Sequence, residues 1–267
     1  MHSQGKSRIQ IYQTTDQLGS DMETSEELAL YDRTHRRLRD ALAGHLSAKT
    51  DIESTLTAYA YWVCTAVRRR GTDWETALHD YIERALRDET REAEAEQREV
   101  ALLRCELRIV PGCGPLLDIG AGWGRLAPLY DELGLQAVYV EPAELGVRLM
   151  RRNHLGRIVR SAGEALPFPA ATFPAALIGW VLHHHAPEVD AADILREVAR
   201  VLVAGGWLFS IEPLGADFGM DRWMGLLTQR DVGVEVCSAE EFFQMADAQG
   251  GAERYILLVG RTSTANR

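Results

Sequence analysis

Apolar residues change their period along this chain. From Glu26 to Leu46 they recur at three- and four-residue steps, at Leu28, Tyr31, Leu38, Leu42 and Leu46. That spacing predicts an amphipathic helix, with Thr24 or Ser25 as its cap. A second helix is predicted from Asp51 to Arg70, carrying Leu56, Ala58, Tyr59, Tyr61, Trp62 and Val63 and ending at Gly71. Asp73 caps a third, with Trp74, Leu78, Tyr81, Ile82 and Leu86 on one side. The charged run Arg87 to Glu99 then continues as a solvated helix into Val100-Ala101-Leu102-Leu103. Residues 1 to about 22 have little apolar content, with Ile9, Ile11 and Tyr12 able to fold over a neighbour.

Past Pro115 the pattern becomes one of short apolar runs, each long enough for a buried strand. They are Leu116-Leu117-Asp118-Ile119, Val138-Tyr139-Val140, Ala175-Ala176-Leu177-Ile178, Trp207-Leu208-Phe209-Ser210-Ile211 and Tyr255-Ile256-Leu257-Leu258-Val259. Helical stretches lie between the earlier runs, which predicts an α/β fold with a doubly wound, mainly parallel sheet. The chain divides into an N-terminal helical extension, 1–97, and an α/β core, 98–267. Leu214 to Val236 reads as an insertion rich in large apolar residues, and Ser238-Ala239-Glu240-Glu241 as a helix start with a capping box, leading into Phe242, Phe243 and Met245. Gly250-Gly251-Ala252 leaves little room for another strand before Tyr255, which predicts a reduced C-terminal edge.

The densest chemistry lies in Asp118-Ile119-Gly120-Ala121-Gly122-Trp123-Gly124-Arg125, a glycine turn between a strand and a helix. Such a turn brings backbone against a ligand at the carboxyl end of the first strand. A dinucleotide fingerprint would have its third glycine where Arg125 stands, and the Gly-Lys-Ser/Thr of a phosphate loop is absent. Asp118 would repel a pyrophosphate and attract positive charge. Glu141 closes the next strand about twenty residues on, where a carboxylate accepts ribose hydroxyls.

These two motifs resemble those of the class I S-adenosylmethionine-dependent methyltransferases. Two further blocks agree: Gly163-Glu164-Ala165-Leu166-Pro167-Phe168-Pro169 followed by Ala175 to His184, and Leu195 to Gly206 running into Trp207 to Pro213. The resemblance spans roughly residues 98 to 213 and implies a seven-stranded type of sheet with S-adenosyl-L-methionine as cofactor. It implies that Asp118, Gly120, Ala121 and Gly122 face the methionine part, and Glu141 with Pro142 the ribose. The family commonly carries an Asp for adenine where this chain has Ala162. Backbone at Gly163 and Glu164 is expected to serve instead. Trp180 is expected near cofactor or substrate. His183, His184 and His185 lie past the fourth strand, where a base with a pKa near ~6.5 can take an acceptor's proton. His183 and His184 are the candidate catalytic residues. Glu212 is placed to touch substrate, and Tyr31 and Tyr12 to close over the cofactor.

Composition narrows the partners. The 267 residues are 46% hydrophobic and carry a formal net charge of −10, which disfavours a nucleic-acid substrate. Arg68-Arg69-Arg70 and Arg148 with Arg151-Arg152 read as solvated helix faces. Cys64, Cys105, Cys113 and Cys237 are widely spaced, as in reduced cytoplasmic proteins. No apolar run nears the ~18 residues of a membrane span, and Met1 to Ser20 lacks a signal-peptide core. No metal-ligand spacing is present. The resemblance implies a methyltransferase acting on O, N or C of a small molecule, by family analogy one of secondary metabolism, and the composition is that expected of a cytoplasmic protein. In such relatives the helical extension is a lid or a homodimer interface. The alternatives are an enzyme of the same fold that binds S-adenosylmethionine and catalyses a non-methylating cyclisation or rearrangement, and a non-catalytic partner subunit.

Overall fold

Asp73 accepts hydrogen bonds from the Glu75 and Thr76 amides at 2.9 and 3.3 Å, and so starts the longest helix of the chain. A computed structural model describes residues 21–45, 52–110, 112, 114–184, 188–214, 219–229, 232–239 and 254–262. Ile9, Ile11, Tyr12, His185, Phe242, Phe243 and Met245 lie outside these. Three helices come first: α1 (Asp21–Leu42), α2 (Ile52–Arg70) and α3 (Trp74–Glu106). Helix α1 begins earlier than its apolar spacing predicts, so Thr24 and Ser25 stand inside its first turns rather than capping it. Helix α3 runs unbroken for 33 residues and passes straight through position 97.

The rest alternates: β1 (Leu116–Ile119), α4 (Ala127–Glu132), β2 (Ala137–Val140), α5 (Glu144–Arg152), β3 (Ile158–Val159), β4 (Phe173–Gly179), α6 (Glu188–Val201), β5 (Leu202–Leu214), α7 (Met220–Thr228), β6 (Val232–Ala239) and β7 (Arg254–Thr262). The strands form one seven-stranded sheet in the order β3-β2-β1-β4-β5-β7-β6. The first five are parallel, and β7 runs antiparallel between β5 and β6. The fold class is therefore the one the apolar runs predict. The sixth strand, however, is drawn from Val232–Ala239, upstream of Gly250-Gly251. Ser238 and Ala239 lie in that strand, paired with Leu257 and Ile256, and Glu240 and Glu241 lie outside the described residues. The run Val232-Gly233-Val234-Glu235-Val236 places valine at every second position, the period of a strand, and it pairs antiparallel with β7.

Period-two alternation sends each parallel strand's apolar residues to both faces. Leu117, Ile119, Val138, Val140 and Ile178 pack with Ile194, Leu195 and Val198 of α6 and Trp223 of α7. Leu116, Tyr139, Leu177, Phe209 and Ile211 pack with Leu103 of α3 and Tyr130 of α4 on the other side. A third cluster joins α1, α2 and α3 to Leu145 and Leu149 of α5, so the helical extension sits directly on the core.

Glu99, expected on a solvated face, is buried. Its carboxylate accepts two hydrogen bonds from Arg125 at 2.8 and 3.1 Å, tying α3 to the glycine turn. Removing one partner of a buried ion pair leaves the other uncompensated. Glu99→Ala should therefore cost about 3 kcal/mol in urea unfolding. Glu132→Ala, which breaks the exposed pair to Arg104, should leave the midpoint within error. Equal midpoints for both variants would mean that the Glu99 pair stabilises nothing.

Candidate active site

The carboxyl ends of β1 and β4 adjoin where the strand order reverses, which is where α/β sheets open a crevice. Two loops line it. The first turns through Gly120, Gly122 and Gly124 at φ of 74°, 58° and 82°. A Cβ on Gly120 would lie 2.3 Å from Val181 Cγ2, so a side chain there would drive the two loops apart. A Cβ on Gly122 would meet nothing within 4 Å, so the Cα of this residue faces open space.

Glu141 follows β2 and is buried. Its Oε2 accepts from the Gly122 amide and its Oε1 from the Ala143 amide, both at 2.8 Å. Hydrogen bonds from neutral amides to a carboxylate are short and strong for their class. They fix the glycine loop against the start of α5. Gly146 of α5 completes the joint, because a Cβ there would fall 2.5 Å from the Gly122 carbonyl oxygen and 2.8 Å from Glu141 Cγ. Pro142, next in chain, is exposed, and Arg160 donates to its carbonyl at 3.4 Å. Arg160 and Arg148 also pair with Glu144 at 2.8 and 2.9 Å, bracing the turn after Glu141.

Asp118 is 3% exposed, and Tyr130 donates its hydroxyl hydrogen bond inward to it at 2.9 Å. Burial pushes the Asp118 carboxyl up to about 7, against the Tyr130 hydrogen bond and the Arg125 charge, with Glu141 adding to the rise. Burial and the same Asp118 charge raise the Tyr130 phenol too. Ala121 is half-buried beside these.

At the adenine end, Glu164 is exposed and Gly163 packs against Ile194 and Ile119. This loop is held from α6: Glu197 accepts from the Leu166 amide at 3.0 Å, and Arg200 donates to the Phe168 and Leu166 carbonyls at 2.7 and 2.9 Å. Ser161 donates to the Ala165 carbonyl at 2.7 Å.

The second loop leaves β4 through Trp180, whose φ of 60° is unusual for a bulky residue. Buried Glu212 of β5 holds it there. Its Oε1 accepts from the Val181 and Leu182 amides at 3.1 and 2.9 Å, and its Oε2 from the His183 amide at 3.3 Å. Successive amides cupping one carboxylate form a nest, and the nest stabilises the strained residue before it. The His183 Nδ1 lies 2.8 Å from Glu212 Oε2. The Trp180 and His183 rings meet edge-on at 6.5 Å, and the Arg125 guanidinium stands 6.0 Å from the Trp180 ring. His184 shares the short 3-10 turn Leu182–His184, with its side chain outside the described set.

Other sequence candidates lie elsewhere. Tyr31 is a core residue of the helical layer rather than a cover for the crevice. The extension reaches the crevice through α2 instead: Tyr61 and Trp62 pack on Trp123 of the glycine loop at 4.9 and 6.1 Å between ring centroids. Tyr130, Glu197, Arg200 and the Glu99–Arg125 pair carry no sequence signal of their role, because each is defined by a partner remote in the chain.

Comparison with known proteins agrees with the fold. Residues 117–210 match the family model described as methyltransferase domain. No curated protein sequence matches the chain. Among solved structures, the [4+2]-cyclase SpnF has a TM-score of 0.54 at 18% identity, covering 65% of this chain and 83% of its own. A candidate sarcosine dimethylglycine methyltransferase from Galdieria sulphuraria has a TM-score of 0.53 at 14% identity, covering 65% and 88%. The PH0226 protein from Pyrococcus horikoshii OT3 has 0.51 at 15%, covering 63% and 91%. At such identities the likeness is one of fold. The chain has the class I S-adenosylmethionine-dependent methyltransferase fold. Among the described residues, no cluster of His, Cys, Asp or Glu is arranged to hold a metal, and no helix is long and apolar enough to cross a membrane.

The Asp118 carboxyl binds its proton more tightly in the folded chain than in the unfolded one, where its value is 3.8. Folding stability therefore falls as pH rises from about 4 to about 7. Asp118→Asn should flatten that part of the profile, as read by thermal unfolding at a series of pH values. An unchanged slope would show that another group is responsible.

Proposed function

We propose that this chain is an enzyme that binds S-adenosyl-L-methionine and acts on a small molecule. The observation that carries this reading is the joint between the open Gly122 backbone and the buried Glu141 carboxylate. A loop without side-chain cover suits the methionine part of the cofactor, with Gly120 and Ala121 beside Gly122. A carboxylate fixed by two amides still has lone pairs for ribose hydroxyls. Pro142 would border the ribose, Gly163 and Glu164 the adenine, and Trp180 the sulfonium end. Asp118 suits an ammonium group, whose charge would favour the ionised carboxylate against the pull of burial.

Bound there, the cofactor supplies an electrophilic methyl group, or a fixed positive charge if it is left intact. The chain's own residues have to orient a substrate and exclude water. Two chemistries suit such a site. A non-methylating cyclisation or rearrangement is supported by the likeness to SpnF, a [4+2]-cyclase of the same fold. Methyl transfer to O, N or C is supported by the methyltransferase-domain match and by a histidine on the rim of the crevice, with His183 and His184 as the candidates. The helices of residues 1–97 serve as a lid in this reading, since Tyr61 and Trp62 of α2 press on the glycine loop. The acidic net charge suits a small-molecule substrate in place of nucleic acid.

Glu141→Ala should weaken S-adenosylhomocysteine binding by roughly 1.5–3 kcal/mol in calorimetry, the worth of a charge-assisted bond. Unaltered affinity would remove Glu141 from the site. Product mass separates the two chemistries. A gained methylene with release of S-adenosylhomocysteine belongs to transfer, and an isomerised substrate with intact cofactor belongs to cyclisation or rearrangement.

A further inference from the structure

Glu212 is fully buried, yet every bond named for it runs to one short segment. Its two oxygens meet three consecutive amides, those of Val181, Leu182 and His183, and the His183 ring. A carboxylate placed only to brace a turn would be satisfied by the amides. The additional 2.8 Å contact to Nδ1 dictates which ring nitrogen carries the proton, because an ionised carboxylate only accepts. With the Nδ1 proton held by Glu212, Nε2 becomes the basic atom. Val181, two residues earlier, abuts Gly120, so this turn borders the crevice at the mouth of β1 and β4.

We propose that Glu212 is a positioning residue that fixes His183 in the Nδ1–H form, and that the site takes a substrate which must surrender an O–H or N–H proton. The substrate's proton moves to Nε2, its electron pair stays on the substrate atom, and the imidazolium formed is held by the Glu212 carboxylate. Phenols, enols and protonated amines belong to this class, whereas thioethers and carboxylates do not. The inference rests on the cofactor-binding reading above for its site, but the state of the ring can be measured without it. Among the described residues, charged groups near this turn include Asp118 of β1 and Arg125 with its partner Glu99. Arg125 stands beyond the Trp180 ring.

The test is nitrogen NMR of the full chain labelled at histidine, with His183→Asn for assignment. In the wild type, neutral His183 should carry its proton on Nδ1. In Glu212→Gln the amide oxygen can keep the Val181 and Leu182 bonds only by turning its NH2 toward Nδ1, which must then accept. The proton should move to Nε2. Turnover of acceptors that must lose a proton should fall in this variant, and proton-free acceptors should be insensitive to the change. Should Glu212→Gln not fold, the wild-type tautomer alone decides. Nε2–H in the wild type, or an unchanged ring in a folded variant, overturns the inference. S-adenosylhomocysteine calorimetry keeps the two claims apart: binding with the wrong tautomer defeats only this one, and absent binding defeats the cofactor reading.

Discussion

The structure turns on a buried carboxylate that accepts from main-chain amides at a strand end. Glu141 does this for the glycine loop, and the consequences spread outward. Because Oε2 holds Gly122 and Oε1 holds Ala143, the loop after β1 and the approach to α5 cannot move independently. Helix α5 must then come so close that position 146 tolerates only glycine. The open face of Gly122 persists because the loop is held from behind.

Other carboxylates hold parts of the crevice with different sets of donors. Glu212 gathers the amides that follow β4, and Glu197 takes the Leu166 amide while pairing with Arg200. Glu99 accepts from Arg125 and brings the long helix α3 against the loop. Taking a charge from water is costly unless hydrogen bonds replace the lost solvation, and each of these acids has at least two named donors or a paired cation. Asp118 differs: among the described residues its carboxylate accepts from the Tyr130 hydroxyl, and its carboxyl rises to about 7.

Local regularity made much of this legible. The strand runs, the glycine turn, the acid closing β2 and the Asp73 cap all depend on residues near one another in the chain, and sequence spacing reports such relations directly. Glu99 was legible only as one more charge in a charged helix, since its burial depends on Arg125, twenty-six positions away. Glu212 and His183 were each visible as candidates, but their contact forms across two neighbouring strands. Strand β6 carries valine at 232, 234 and 236, a period-two signal inside a stretch that otherwise reads as an insertion, and its pairing with β7 identifies it as the edge of the sheet.

The central claim is that Gly122 and Glu141 together form the grip on a cationic nucleoside. Amide spectra of the labelled, ligand-free chain, recorded as S-adenosylhomocysteine is added, test it most directly. The Gly122 and Ala143 signals should shift together and saturate with one binding constant, while those of Gly134 and Gly44, outside the crevice, stay in place. Saturable shifts that leave Gly122 and Ala143 untouched, or no shifts at millimolar ligand, would contradict it.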